Sequence, residues 1–375
     1  MAIRTVTDAI RYVGVDDNTL ALFENQYPVQ PMGVSYNSYV ILDEKIAVMD
    51  SVDARAAEEW LSNVAQVLEG RSPDYLVVTH MEPDHSGSLM RLAQKYPEMK
   101  IVGNAKTFTL IKQFFGTGAL SEGRMLEVGE GNTLSLGAHR LRFLLAPMVH
   151  WPEVMAAYEE EEKILFSADA FGRFGALERT ARAPWAPQAR RYYYNIVGKY
   201  GAQVQALLKK VSALEIKMIC PLHGPMLTEG LEEYLRLYDL WSQWKPEEPE
   251  GILIAHASIH GNTAYASEAL KSKLEGKGAQ VTMCDLTATA LTKEAYEHLR
   301  AKADGKIISK TRYFIPLAPH TIELDVFHGD MEPLIMAEVE FASIEEANVF
   351  LPPDWFGQDV TMDRRYHNVN MALYQ

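Results

Sequence analysis

Cysteine is scarce in this chain, with only Cys220 and Cys284 among 375 residues. Neither belongs to a C-x-x-C pair, which argues against a thiolate-bound zinc or an iron–sulfur cluster. Cys220 lies in an apolar run and reads as a small buried hydrophobe. Long apolar runs are missing as well. None reaches the roughly 18 residues of a membrane span, and the N-terminal MAIRTVTDAIRYVG has no secretory apolar core. A cytoplasmic protein with no membrane partner is therefore expected. Positive charge is in short supply: 36 Lys and Arg stand against 50 Asp and Glu, a net charge of −14. The pair Lys209-Lys210 is too short to form a basic stripe, so no nucleic-acid partner is expected. The 47% apolar content is ordinary for globular proteins, and the length allows two or more domains.

The densest chemistry lies in THMEPDHSG, residues 79–87, where His80, Glu82, Asp84 and His85 fall within six residues. The run follows the apolar Tyr75-Leu76-Val77-Val78, a buried-strand pattern, and Pro83 and Gly87 should break any regular element. Two imidazoles and two carboxylates this close need a cation between them. A polar cluster after a strand can be no more than a solvated turn, but the context recurs. His150 ends an apolar run from Leu141, Asp169 follows Ile164–Ala168, and His223 follows Met218–Pro221. Seven ligands exceed one tetrahedral metal and fit two metals if Asp169 bridges them.

This order resembles the metallo-β-lactamase fold, with Glu82 where the usual site has a second histidine. The substitution makes the site richer in hard carboxylate oxygen, which favours iron over zinc. His-x-Glu-x-Asp-His is the pattern of the flavodiiron proteins (A-type flavoproteins). The resemblance extends over residues 1–249 and includes Gly33–Tyr39, His150-Trp151-Pro152-Glu153, Asp169–Gly172 and Tyr194–Gly201. It implies two iron ions, one held by His80, Glu82 and His150, the other by Asp84, His85 and His223, with Asp169 between them. It also implies reduction of dioxygen to water or nitric oxide to nitrous oxide, a rubredoxin-like or flavin reductase electron donor, and a head-to-tail homodimer. The expected fold is an αββα sandwich with the site on loops at one edge. Its helices are expected over about Ala54–Leu68, Ser88–Tyr96 and Pro187–Lys210, and WSQWKPEEPEG, residues 241–251, is the linker candidate.

After the linker, a strand from Gly251 to Ala257, a small hydroxylic loop, a helix to about Glu275 and a strand Gln280–Cys284 form one βαβ pattern. The loop residues Ser258, His260, Gly261, Asn262 and Thr263 can cradle a phosphate with hydroxyls and backbone N–H groups, or merely cap the helix. They resemble the FMN phosphate loop of flavodoxins, so residues 250–288 look like the first third of such a domain. The later strand–helix units and ring-binding loops do not follow, so FMN is expected to be weakly held or absent.

The character of the chain then changes. A helix is expected over Leu291–Leu299, then alternating strands over Ile307–Leu317, Thr321–Val326 and Ala337–Phe341. Ser309–Tyr313, Thr321–Asp325, Glu338–Phe341 and Pro353–Gly357 resemble the C-terminal half of a CYTH (triphosphate tunnel) domain, so residues 289–375 read as a fragment of one. Residues two apart on a strand share a face. Lys310 with Arg312, Glu323 with Asp325, and Glu338 with Glu340 could therefore line one polar face, or form a solvated outer face. The Glu-x-Glu-x-Lys element that begins such a tunnel matches only Glu159, Glu161 and Lys163, a charged hairpin inside the metal domain. No hydrolase activity is assigned to the tail. The function expected is a di-iron oxidoreductase. The alternatives are a di-zinc hydrolase using metal-bound hydroxide, which Glu82 argues against, and a non-enzymatic phosphate-binding module.

Overall fold

The computed structural model describes residues 3–258, 261–286, 308–341, 343–366 and 371. It divides into two units, Met1–Pro249 and Glu250–Gln375. The first holds two sheets. The seven-stranded sheet runs Arg4–Thr5, Ile10–Tyr12, Tyr39–Ile41, Ala47–Met49, Tyr75–Val77, Lys100–Gly103, Met125–Glu127. The five-stranded sheet runs Thr133–Ser135, Arg140–Leu145, Met155–Glu159, Ile164–Phe166, Met218–Cys220.

Period-two alternation decides which residues face which layer. Tyr39 and Ile41, Ala47 and Met49, and Val77 fill one apolar cluster together with Leu141, Phe143, Met155, Ala157 and Phe166 of the other sheet. The intervening Val40, Val48 and Leu76 belong to a second cluster. There they pack with Trp60, Val64 and Leu68 of the helix Ala57–Leu68, Phe108 and Ile111 of Ala105–Phe115, and Val204 and Leu207 of Gly201–Val211. The result is the α/β sandwich of two sheets between helices.

Three details differ from the sequence expectations. Pro83 does not break structure; it starts the helical turn Pro83–Ser86, because proline at the first helical position lacks only an N–H that would have no partner anyway. Asp84 and His85 ride on this turn. The helix expected over Pro187–Lys210 is interrupted. It runs as Trp185–Tyr192, a π-helical Tyr193–Val197, a 3₁₀ turn Gly198–Tyr200, and Gly201–Val211. Gly201 permits this path, since a Cβ there would lie 2.2 Å from the Ser242 carbonyl oxygen. Finally, the linker candidate begins too early. Trp241 and Ser242 end the helix Leu231–Ser242 and are buried, and Glu247 is held by Arg190 at 2.5 and 2.6 Å.

The second unit contains the parallel strands Ile252–His256 and Val281–Asp285, joined by the helix Asn262–Glu275. It also has an antiparallel sheet of Ser309–Leu317, His320–His328 and Ile335–Val339. The middle strand is longer than expected at both ends, and the last is displaced two residues toward the N-terminus. The helix expected over residues 291–299 and the start of the first strand at Ile307 lie outside the described residues. The register pairs Arg312 with Asp325, Phe314 with Glu323, and Glu323 with Glu338. Lys310 and Arg312 both bind the Asp325 carboxylate, and Arg312 also reaches Glu323 and, at 3.0 Å, Glu338. The cations of this face are thus consumed by its own carboxylates.

Candidate metal centre

Four segments of the first unit deliver seven side chains to one place. His80 and Glu82 leave the end of Tyr75–Val77, Asp84 and His85 sit on the Pro83 turn, and His150 follows Arg140–Leu145. Asp169 follows Ile164–Phe166, and His223 follows Met218–Cys220. Polar groups at strand ends escape the apolar layers while rigid sheets fix their positions. Met148, Ala168 and Phe171, which flank His150 and Asp169, have positive φ angles of 65°, 52° and 66°. Each such non-glycine conformation costs on the order of 1 kcal/mol and persists where the surroundings impose it. After His223 the tight turn needs glycine: Gly224 has φ +81°, and a Cβ would lie 2.6 Å from the Arg173 side chain.

The seven fall into two groups. His80, Glu82, His150 and Asp169 offer ligand atoms within 4.8 Å of one another, as do Asp84, His85 and His223. Asp169 joins them. Its Oδ2 lies 3.3 Å from His80 Nε2 and 3.1 Å from His150 Nε2, while Oδ1 lies 3.4 Å from His85 Nε2 and 3.8 Å from His223 Nε2. Glu82 Oε2 is 3.0 Å from His150 Nε2, and Asp84 Oδ2 is 3.2 Å from His223 Nε2.

Several residues that the sequence reading assigned no role orient these ligands. Glu153 Oε1 accepts from His80 Nδ1 at 2.9 Å and from the Met81 amide at 2.8 Å. His223 Nδ1 donates to the Ser35 carbonyl at 2.7 Å. Both contacts place the proton on Nδ1 and turn the Nε2 lone pair inward, as metal-binding histidines require. Asp50 accepts from the Thr79 amide and hydroxyl, each at 2.7 Å. Burial pushes the Asp50 carboxyl up to about 6 against these donors. Glu153 and Ser35 stand in quoted sequence motifs, but nothing local revealed their partners. Asp50 ended an apolar run without further signal.

The site fits a pair of cations. Both oxygens of Asp84 and of Asp169 are buried without a hydrogen-bond partner. The Nε2 atoms of His85 and His223 lie 3.0 Å apart, so a proton or a metal ion must stand between them. Burial opposes the charge of Asp169, yet the nearby His80 imidazole, with His150 and His85, holds its carboxyl well below the usual range. Burial likewise opposes a charge on His150, but Asp169 and Glu82 push it up to about 9. The cluster thus draws protons when no other cation neutralises it, and metal ions would compete for those places. Rings pack around it: Phe23 at 5.2 Å and Tyr192 at 5.5 Å from His223, and Trp151 at 5.6 Å from His80. A cleft of about 720 Å³, lined by Glu24, Tyr27, Glu82, His150, Trp151 and Lys199 among others, reaches the ligands.

The expected phosphate loop is described only in part. His260 lies outside the described residues. Gly261, φ +83°, caps the helix that Asn262 and Thr263 begin, and space is open around its Cβ position. Ser258 lies among the described residues.

The family described as ODP family beta lactamase matches residues 34–224. The anaerobic nitric oxide reductase flavorubredoxin of Vibrio vulnificus is 32% identical over 273 residues, which is 71% of this chain and 54% of that protein. The chain thus spans about half the length of that curated relative. Among solved structures, the flavodiiron protein from Giardia intestinalis is 29% identical with a TM-score of 0.69, covering 79% of this chain and 72% of that one. The rubredoxin oxygen:oxidoreductase from Desulfovibrio gigas is 27% identical with a TM-score of 0.66, covering 77% and 73%.

Proposed function

We propose that this chain, which belongs to the ODP family of beta lactamase proteins, is a di-iron oxidoreductase of the flavodiiron type. It would reduce dioxygen to water or nitric oxide to nitrous oxide with electrons delivered through flavin. The observation that carries this is Asp169, whose two oxygens address two separate ligand groups, with Glu82 making the set rich in carboxylate. His80, Glu82 and His150 would hold one iron, and Asp84, His85 and His223 the other. Two ferrous ions bound there would supply the electrons that a diatomic oxidant takes up. The protein's part is to fix the imidazoles through Glu153 and Ser35, to surround them with apolar rings, and to keep the cleft open to small molecules.

A rubredoxin-like protein or a flavin reductase is the proposed donor, and a head-to-tail dimer the proposed assembly. Ser258, His260, Gly261, Asn262 and Thr263 would take the FMN phosphate. Among the described residues the parallel sheet there has two strands, too few for a complete doubly wound domain, so the flavin is proposed to be weakly held or absent. Residues 250–288 are accordingly assigned as partial flavodoxin-like and residues 289–375 as CYTH-like.

Metal and flavin analysis of the purified chain tests the reading. Two irons per chain, with dioxygen or nitric oxide consumed when reduced flavin is supplied, supports it. Two zincs with hydrolysis would favour the lactamase-type alternative. Bound phosphate or flavin without metal would favour a binding module.

A further inference from the structure

A file of oxidisable rings runs from Trp185, hydrogen-bonded to the backbone near Asp169, to the surface of the first unit. Trp185 donates its indole N–H to the Phe171 carbonyl at 3.1 Å, two residues from the bridging Asp169. Its ring stacks on Trp241, with centroids 5.7 Å apart and planes 13° apart. Trp241 contacts Tyr193 at 5.5 Å and Tyr194 at 6.4 Å, and Tyr194 contacts Trp244 at 5.3 Å. Trp241 is 1% exposed, Tyr194 37% and Trp244 69%, so the file ends in solvent. Aromatic packing alone would explain buried rings. The central ring also has a charged partner: Trp241 Nε1 donates to the Glu247 carboxylate at 2.6 Å, and Arg190 clamps that carboxylate and keeps it ionised.

We propose that Trp185, Trp241, Tyr194 and Trp244 form a redox relay that carries surplus oxidising equivalents from the metal centre to the protein surface. The inference rests on the di-iron reading. Reduction of dioxygen to two waters takes four electrons and four protons, and a donor that delivers too few leaves a demand that some residue must meet. Trp241 gives one electron toward the centre through Trp185, and its indole proton passes to Glu247, leaving a neutral indolyl radical. An electron from Tyr194 or Trp244 refills Trp241, the proton returns from Glu247, and the exposed ring that gave the electron releases its own proton to solvent. The exposed ring is restored by one electron and one proton from a small thiol or ascorbate-type reductant in solution. Damage is thereby moved away from the histidine ligands.

Two measurements on the full chain test this. The first exposes iron-loaded protein to dioxygen without a donor and maps side-chain oxidation by peptide mass spectrometry. Wild type should be modified at Tyr194 and Trp244, and Trp241→Phe should show several-fold less there and more beside the ligands. Equal patterns in two proteins that each hold two irons and consume dioxygen would overturn the relay. Failure to bind iron would instead overturn the di-iron reading.

The second measurement needs no metal. A ruthenium tris-bipyridine photo-oxidant with persulfate, applied to iron-free chain, should oxidise Trp244 and then give the neutral radical of Trp241. Glu247→Gln, which keeps every ring, should yield the cation radical instead. Identical spectra from wild type, Glu247→Gln and Trp241→Phe would also overturn the relay.

Discussion

Two carboxylate-rich clusters in this chain have opposite electrostatic logic. On the three-stranded sheet of the second unit, Asp325, Glu323 and Glu338 face Lys310 and Arg312, and the charges close on themselves. In the first unit Glu82, Asp84 and Asp169 face imidazoles, with the Glu24 carboxyl beside Glu82, and four of their buried oxygens lack hydrogen-bond partners. A buried carboxylate group without its own lysine or arginine is arranged for a cation that the chain does not encode. A self-neutralised face has little left to offer a phosphate or Mg²⁺.

The contrast breaks most sharply at Asp169. Asp169→Ala should lower occupancy at both metal positions, read as iron per chain after dialysis, and a variant that keeps two irons would end the bridging assignment. Glu153→Gln sharpens the picture because His80 is the candidate ligand side chain that Glu153 holds. It should weaken one metal position by roughly 10- to 100-fold and spare the other, as a metal titration would resolve.

On the second unit the comparison predicts that triphosphate with Mg²⁺ is not turned over by wild-type protein. Release of phosphate that Glu338→Ala with Glu340→Ala abolishes would contradict this. Arg312→Ala should destabilise the second unit by about 2 kcal/mol, because the buried Asp325 loses its bidentate partner but keeps Lys310. Denaturant unfolding would show the change.

The smallest effect concerns Asp43, which accepts from the His139 amide and ring near the hairpin of the five-stranded sheet. Burial opposes its charge, but the His139 and Glu44 donors hold the carboxyl down at about 2. A depressed carboxyl stabilises the fold above its unfolded value, about 3.9, and that support is lost as pH falls through about 2. Asp43→Ala should therefore lower the unfolding temperature at neutral pH, and the gap from wild type should narrow in strong acid.

The seven ligand candidates were legible because each sits where an apolar run meets turn residues, a local signal that strands and loops both obey. The sheet layers were legible for the same reason, through alternation in runs such as Tyr39–Ile41 and Arg140–Leu145. Segments whose conformation depends on distant partners were misread. Pro83 starts the helical turn that carries Asp84 and His85, and the helix over 187–210 is broken where Tyr193–Val197 meets the cleft. Trp241 looked like linker because its neighbours are polar and Pro-rich, while its ring is buried against Trp185, 56 positions earlier in the chain.

By itself the sequence determined residue chemistry and local periodicity: which side chains can bind metal, which strands alternate, and that Lys310, Arg312 and the tail carboxylates can share faces. Only the tertiary structure decided how those groups are partnered. It aimed the two oxygens of Asp169 at different clusters, set Glu153 and Ser35 behind the histidines, and closed Arg312 onto Asp325. The physical reason is that charge and hydrogen bonding act through space over a few ångströms. The residues that meet there are up to 188 positions apart in the chain, a separation that no local pattern can encode.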